Sequence, residues 1–389
     1  MHRQVIGATI SAANTLNPAV TFAQIAGIVN LVGGGPVPSQ SGFGVTLPAR
    51  KLEMPRAQHY SFTFEQQLGR DLVVSAAYVG TRGSTLLRFN TPNLGRNAVL
   101  TPLAFSTLLT ADPQFFGLAL PPGTHITPQG NIAGGRPQSS VGAVTQFETT
   151  ASSRYNALQL QTRGRLRSSL QYQISYTFSS ATDDVSDIFD LAGAFALPQN
   201  SLTFAGERAA ANFDARHRFA YNFIYSLPGF TEQGGIVRSL LGGLQISGTG
   251  QFQTGQPFTV NSIFDVNLDG NLTDRLNNLN GLEVTGDRQQ PLRLTTTNTA
   301  SFLAPVGQDG AIARNTFRAG SVLELNLAVA KDVPLVGVHH LNLRMDIFNF
   351  INRANFGAPV RLLEAPGFGN ATSTVTPGRR IQFSVKYLF

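Results

Sequence analysis

The strongest pattern in the sequence is an alternation of polar and apolar residues over its last ten positions, broken only at Leu388. The polar positions are Arg380, Gln382, Ser384 and Lys386, and the apolar positions are Ile381, Phe383, Val385, Tyr387 and Phe389. Successive side chains of a β-strand point to opposite faces of a sheet. The alternation therefore predicts a strand that lies between two different environments.

The same alternation recurs eight times upstream. The segments are 57–68, 71–80, 154–165, 170–178, 218–227, 244–253, 323–330 and 341–347. A strand of about ten residues is long enough to cross a bilayer at a tilt. We therefore expect an all-β protein whose nine strands belong to a transmembrane antiparallel β-barrel.

Charged residues follow only one face of these segments. From the first apolar residue of each segment on, the apolar faces carry none, whereas the polar faces carry Glu65, Arg163, Arg165, Arg218, Glu324, Arg344, Asp346, Arg380 and Lys386. A Lys or Arg that faces lipid at mid-bilayer costs about 2–4 kcal/mol, and that cost would enforce such a separation. We predict that the polar faces line the barrel lumen, where the last strands contribute Glu324, Arg344, Asp346, Arg380 and Lys386.

The connections between the segments alternate in length. The long ones are 81–153, 181–214, 256–319 and 351–378, and the short ones are 69–70, 166–168, 228–243 and 333–338. In outer-membrane barrels the long loops are extracellular and the short turns periplasmic. This arrangement places Phe389 on the periplasmic side.

The strand count also predicts how the chain is organised. Single-chain bacterial barrels have an even number of strands, so nine strands predict further strands upstream of Met1, in a longer precursor. Residues 1–56 are expected to form an extracellular loop-like segment with one short helix near 18–32. Residues 57–389 are expected to hold the barrel strands.

Composition excludes several classes of function. The chain has no cysteine, which excludes disulfides and thiolate-bound metals, and no apolar run reaches the length of a transmembrane helix. The net charge is +7, but Lys and Arg are scattered, so we expect no nucleic-acid partner. The motifs of hydrolases, zinc proteases and nucleotide-binding enzymes are missing, so we expect neither enzymatic activity nor an organic cofactor. The sequence shows no signal peptide, which again fits a longer precursor.

One segment resembles the start of a calcium loop. Asp265, Asn267 and Asp269 supply oxygen ligands at positions one, three and five, and a Gly follows at position six. The twelfth position is Leu276, where a bidentate Glu is expected. The alternative interpretation is a surface turn rich in Asp and Asn.

Two further clusters are candidate cation sites. Asp183, Asp184, Asp187 and Asp190 lie in the second long loop, where they would bind a cation or form a solvated loop surface. His339 and His340 are adjacent on a strand and point to opposite faces, so they are poorly placed to share a metal.

Several segments, taken in order, resemble one family. They are 78–83, 155–159, 175–179, 214–219, 255–258, 313–318, 341–349, 352–357 and 379–389. From about residue 50 to the end the chain resembles the TonB-dependent receptors of the Oar-like type. The resemblance implies a 22-stranded barrel with a plugged lumen, of which this chain would form the C-terminal portion.

The resemblance also implies a function and partners. It implies uptake of a large or scarce nutrient across the outer membrane, driven by the TonB complex through an N-terminal plug. It further implies a signal peptide and a carboxypeptidase-regulatory-like domain, which we expect in the longer precursor. The extracellular ligand stays open, with carbohydrate, peptide, siderophore and protein all compatible with the loops.

The carboxyl terminus resembles the signal that the barrel-assembly machinery reads. Phe389 ends an apolar series that includes Tyr387, Val385 and Phe383. The machinery would recognise it by strand addition at an exposed sheet edge. The alternative is a terminal aromatic residue that simply faces lipid.

Two other functions remain open at this point. A structural or adhesive barrel would display the same long loops without active transport. A soluble β-protein would turn its apolar faces inward, and it is disfavoured by the many long loops.

Overall fold

The structure is a computed structural model that describes residues 45–92, 125–126, 132–133, 144–167, 169–187, 196–204, 206–227, 241–262, 266–267, 269, 271, 273–305 and 307–389. The helix predicted near 18–32 lies outside the described residues. Within the described part of the chain, no helix is both long and apolar enough to cross a membrane.

Nine long strands dominate the described residues, as the alternation predicted. They are β1 (Arg56–Leu68), β2 (Leu72–Asn90), β3 (Val144–Leu166), β4 (Leu170–Asp183), β5 (His217–Ser226), β6 (Leu244–Gln253), β7 (Val322–Pro334), β8 (His340–Phe348) and β9 (Arg380–Leu388). Each strand pairs antiparallel with its neighbour in sequence, so the spatial order is the chain order. The prediction of an all-β antiparallel sheet is confirmed.

Two short strands join the sheet at the end that carries the long connections. Val45–Pro48 pairs parallel with β3, and Ala209–Ala210 pairs antiparallel with β4. Among the described strands, β1 and β9 form the two edges of an open sheet. Closure of the barrel and its total of 22 strands therefore remain predictions.

Strands β2 and β3 extend far into the predicted loop 81–153, which corrects that boundary. The pairing of these strands shifts register between Gly83 and Leu86, and again between Leu86 and Arg88. Thr85 in the first irregularity has a φ of 52°. An extra residue reverses which face the following side chains occupy. The alternation breaks there, so the sequence pattern does not predict the rest of the strand, which continues to Asn90.

Aromatic rings on the apolar face lie over glycines of the neighbouring strand. The pairs are Tyr60 over Gly80, Tyr172 over Gly164, Phe223 over Gly248 and Tyr221 over Gly250. A ring that covers a glycine restores the contact that the missing side chain cannot make. These pairs fill the apolar surface at positions where the glycines would leave it open.

A hydrophobic core lies outside the sheet, in the long connections. Its buried residues are Phe258, Val260, Val266, Leu276, Leu292, Phe302, Leu303, Ala304, Phe317, Leu363 and Phe368. We call the described parts of 254–321 and 349–379, which supply them, the loop unit. It contains the pairs Pro257–Phe258 with Phe317–Arg318 and Leu282–Val284 with Leu292–Leu294, and the 3-10 helix Thr299–Phe302. These connections, expected as loops, thus form a folded body.

We predict that Gly250→Ala destabilises the sheet by about 1–3 kcal/mol, because the new methyl group would be overpacked. Its Cβ would lie 2.3 Å from the Tyr221 ring and 2.8 Å from Leu325. The measurement is the temperature at which the folded band is lost in a heat-modifiable gel shift. Adding Tyr221→Ala should relieve part of the effect.

Gly378→Ala is the matched control for this prediction, since its Cβ would meet open space. Equal shifts for Gly250→Ala and Gly378→Ala would contradict the close packing of ring and glycine.

Candidate functional site

The polar face of the last three strands carries the residues predicted to face the lumen. The Arg344 guanidinium and the Asp346 carboxylate form an ion pair of 2.7 Å along β8. Glu324 accepts hydrogen bonds of 3.2 Å from the side-chain amides of Gln251 and Asn326. The register places Ser384 opposite Arg344, and Lys386 and Arg380 share the face of Ser384. The predicted residues thus share one polar surface, and its place in a lumen remains a prediction.

The opposite face of β9 carries the apolar series of the predicted assembly signal. Phe383, Val385 and Tyr387 are exposed, and Phe389 beyond the strand is 90% exposed. The Tyr387 hydroxyl lies 2.6 Å from His339 Nδ1, and the two rings stack. The role of this strand as a signal remains a prediction.

Three buried or partly buried ion pairs connect the loop unit to the ends of the strands. Arg275 pairs with Glu207, and both side chains are almost fully buried. Arg314 pairs with Asp183, the last residue of β4. Arg318 lies 2.5 Å from the carboxylate of Asp214, which precedes β5. A charge taken out of water is tolerated when it is paired and hydrogen-bonded, so these pairs fix where the loop unit sits.

Burial lowers the pKa of Arg275, and the neighbouring Glu207 carboxylate partly offsets that effect. Glu207 also accepts a hydrogen bond from the backbone N–H of Gln199 at 3.0 Å. The carboxylate therefore holds two segments together, and its removal would leave a buried cation without its partner.

The same contacts change the interpretation of the Asp cluster in the second long loop. Asp183 is engaged by Arg314, and Asp184 lies 3.1 Å from Arg208. Asp190 lies outside the described residues. Asp183 and Asp184 thus form ion pairs with arginines of this chain. These two carboxylates are therefore neither simply solvated nor free to bind a cation.

A buried arginine near the end of β2 is the most distinctive group at the long-connection end. Arg88 is 5% exposed, and its guanidinium lies 3.7 Å from the centroid of the Phe204 ring. It forms no ion pair within the described part of the chain. Its Nε and the Oδ1 of Asn90 are buried and have no hydrogen-bond partner among the residues that the structure describes. Unsatisfied buried polar groups are rare and require an explanation.

Sequence reasoning missed this pair, because Arg88 and Asn90 follow the irregular pairing of β2. Arg88 is placed opposite Glu148, and the carboxylates of Glu207 and Asp184 also act favourably on it. A guanidinium fork, an amide oxygen and an aromatic ring can together orient a polar ligand. We call Arg88, Asn90 and Phe204 the mouth cluster.

The predicted calcium loop is only partly described, since Asp265 lies outside the described residues. The backbone N–H of Asp269 donates to Asn267 Oδ1 at 3.1 Å, and that of Asn271 donates to Asp269 Oδ1 at 2.8 Å. These are the hydrogen bonds of turns built on Asp and Asn. The twelfth position, Leu276, is fully buried in the core of the loop unit.

Burial raises the pKa of Asp269 to about 7, and Asp309 adds to the shift. Among the described residues, no group of three or more His, Asp or Glu could hold a metal ion. Calcium binding by Asp265, Asn267 and Asp269 remains a prediction.

We expect Glu207→Gln to loosen the loop unit by about 3–5 kcal/mol, because Arg275 would stay buried without its carboxylate. The measurement is limited proteolysis of the loop unit in protein that keeps its heat-modifiable gel migration. Glu283→Gln, which breaks the exposed pair with Arg293, should change stability by less than about 1 kcal/mol. Similar proteolysis rates for the two variants would contradict a structural role of the buried pair.

The loop around Asp269 should become less stable as pH rises. Its folded pKa of about 7 exceeds the ordinary 3.8, so the stabilisation is complete below pH 4 and is lost as pH rises through about 7. Hydrogen exchange of residues 266–276, corrected for intrinsic rates, should therefore speed up from pH 5 to pH 8, and Asp269→Asn should abolish the trend.

Asp287→Asn is the control, because backbone N–H groups of Gln290 and Gln289 lower the pKa of Asp287. That carboxylate stays ionised from pH 5 to pH 8, so its replacement should leave the pH trend unchanged. Should the loop bind calcium, millimolar Ca²⁺ would restore protection at pH 8, since metal binding favours the carboxylate. A flat pH profile without Ca²⁺ would contradict the raised pKa.

Comparison with solved structures shows weak similarity to membrane barrels. The outer membrane transporter YddB from Escherichia coli matches with a TM-score of 0.43 and 10% identity, over 90% of this chain and 34% of that chain. FpvA of Pseudomonas aeruginosa in complex with a heterologous pyoverdine matches with 0.41 and 10%, over 86% and 27%. The copper transporter OprC matches with 0.35 and 11%, over 88% and 33%. The chain thus spans about a third of the length of these proteins.

The family assignment comes from the sequence of nearly the whole chain. No curated protein matches it. Residues 4–382 match the family described as the outer membrane beta barrel domain. This chain therefore belongs to the outer membrane beta-barrel family and is a protein of the outer membrane.

Proposed function

We propose that this chain forms part of the wall of a TonB-dependent receptor of the Oar-like type, which takes up a large or scarce nutrient. The motifs from about residue 50 to the end support the subtype. Nine strands with alternating long and short connections support the barrel. In this proposal the long connections are extracellular, and the plug that contacts the TonB complex belongs to a longer precursor.

The observation that carries the proposal is the mouth cluster. Arg88 lies against Phe204, and no described carboxylate pairs with its guanidinium. Asn90, two residues further along the strand, carries a buried acceptor that no described donor uses. A barrel that serves only as a scaffold gains nothing from such groups, since each unmade hydrogen bond costs about 1–3 kcal/mol. A ligand with both acceptor and donor groups would satisfy them.

The folded loop unit supports the same proposal. A binding site is most accurate when its residues are held by packing and by surrounding hydrogen bonds. The hydrophobic core and the buried ion pairs hold the loop unit at the strand ends. Ligand capture would then need little ordering of loops, which otherwise lowers affinity.

A structural or adhesive barrel is the second candidate, and one observation favours it. The described long connections expose large apolar side chains, among them Leu202, Phe213 and Val284. Exposed apolar residues of this size are common at protein–protein contacts. In this candidate the loops bind another surface and no transport follows.

The two candidates differ in their dependence on TonB. We expect the full-length protein, extracted from outer membranes in detergent, to be retained by an immobilised periplasmic domain of TonB. An unrelated outer-membrane barrel from the same extract is the control and should pass through. Failure of the protein to bind TonB, with its heat-modifiable gel migration intact, would favour the adhesive barrel.

The mouth cluster supplies the second half of this test. In cells that carry the receptor, Arg88→Gln should weaken uptake of a responsive nutrient about tenfold or more, because one charged hydrogen bond contributes about 1.5–3 kcal/mol. Arg293→Gln, on an exposed pair of the loop unit, is the matched control and should not change uptake. TonB retention should be the same for both variants.

A further inference from the structure

Two arginines face each other on the apolar side of the sheet, near its long-connection end. Arg82 of β2 and Arg154 of β3 are direct cross-strand partners, and both are exposed. Arg56, the first residue of β1, lies one step further along the same face, opposite Ser84. The three arginines form what we call the rim cluster.

The register places the rim cluster on the apolar face of the sheet, the face predicted to contact the membrane. Gly80, two residues before Arg82, is covered by the ring of Tyr60 and is paired with Asn156. Residues two apart on a strand share a face. The hydroxyls of Tyr60 and Tyr78 both donate to Asn156 Oδ1, at 3.1 Å and 2.9 Å. A polar layer thus separates the arginines from the apolar residues that follow.

The position along the strand matches the level of lipid headgroups. Arg82 follows Leu72, the first residue of β2, by ten residues, which is roughly 33 Å of strand. At a tilt of about 40° this becomes a height of roughly 25 Å, the height of the apolar band of such barrels. The guanidinium groups therefore lie just above the hydrocarbon, where phosphates of lipids lie.

The charges of the rim cluster lack a counter-ion in the described part of the chain. Like charges directly opposite on neighbouring strands destabilise a sheet, and no described carboxylate forms an ion pair with Arg82 or Arg154. The nearby Glu53 acts on Arg56 but is bound by Lys51, and Asp184 is bound by Arg208. An external anion between the two guanidinium groups would relieve the repulsion.

An apolar hollow lies below the rim cluster on the same face. Its volume is about 340 Å³, its floor includes Ala76 and Thr162, and its walls include Phe64, Leu160 and Tyr176. Ala76 precedes Arg82 by six residues, or roughly 20 Å of strand and 15 Å of height. That depth is about one leaflet, so an acyl chain anchored at the rim would end in the hollow.

We infer that Arg82 and Arg154 bind the phosphate of a phosphorylated, multiply acylated lipid, with one acyl chain in the hollow. Two guanidinium groups can bind one phosphate through short, charge-assisted hydrogen bonds. The inference rests on the proposed function in one respect, since the extracellular position of the long connections places this lipid in the outer leaflet. The lipid is then a phosphorylated glycolipid of the lipid A type.

The test measures binding of bis-phosphorylated lipid A to the full-length protein, purified from outer membranes in detergent. We expect Arg82→Gln with Arg154→Gln to weaken binding about 30-fold, since each basic residue at a membrane surface contributes about a factor of five. The charge-preserving Arg82→Lys with Arg154→Lys should bind between the native protein and the Gln variant, since Lys keeps the charge but not the planar fork. Lipid A stripped of its phosphates should bind the native protein as weakly as phosphorylated lipid A binds the Gln variant, and inorganic phosphate should not compete.

Arg163→Gln with Arg165→Gln is the matched control, because it removes the same charge from the polar face of β3. This variant should bind lipid A like the native protein. Equal weakening by both double variants would overturn the site in favour of diffuse charge attraction, and unchanged binding by the rim variant would overturn it outright. Filling the hollow by Ala76→Phe should lower affinity for lipid A with long acyl chains more than for a short-chain analogue, and an equal effect on both would remove the hollow from the site.

Failure of the proposed function is distinguishable from failure of the lipid site. TonB retention and nutrient uptake report the receptor, whereas lipid binding in detergent does not depend on TonB. If the protein is retained by TonB but both double variants bind lipid A equally, the proposed receptor function stands and the lipid site is overturned.

Discussion

The structure depends on one constraint: hydrocarbon offers no hydrogen bonds to the polypeptide backbone. Each unpaired N–H or C=O in lipid costs several kcal/mol, so the chain crosses in strands whose backbone groups pair with their neighbours. Each of the nine long strands pairs with its neighbours in sequence, and the first and last strands form the two edges. The alternation of side chains, the lack of charge on the apolar faces below the rim cluster and the rings over glycines all follow from a ladder that must be complete and covered by lipid.

Beyond the ladder the chain follows the rules of a soluble protein. The loop unit has its own core, in which Phe302 and Leu276 are fully buried, and its charges are neutralised in pairs such as Arg275 with Glu207. The sheet itself buries few apolar residues of any size, because lipid solvates one of its faces. The sheet is thus adapted to lipid, and the loop unit is adapted to water.

The sequence predicted the part of the fold that has a period. All nine strands follow from residues spaced two apart, because the membrane makes that spacing costly to break. The extension of β2 and β3 did not follow, since Thr85 and its neighbours interrupt the period. The ion pairs did not follow either, because Asp183 and Arg314 lie 131 residues apart in sequence. Nothing local marks such a pair, and the Asp cluster therefore looked like a cation site or a solvated loop.

The irregularity in β2 also decides which surface each of two arginines reaches. Arg82 and Arg88 are six residues apart, so an unbroken strand would place both on the same face. The extra residue between Gly83 and Leu86 reverses the alternation. Arg82 therefore lies on the apolar face with Arg154, whereas Arg88 lies on the opposite face, against Phe204. A single added residue thus separates an arginine of the apolar face from an arginine of the polar face, and deleting it would move Arg88 onto the apolar face.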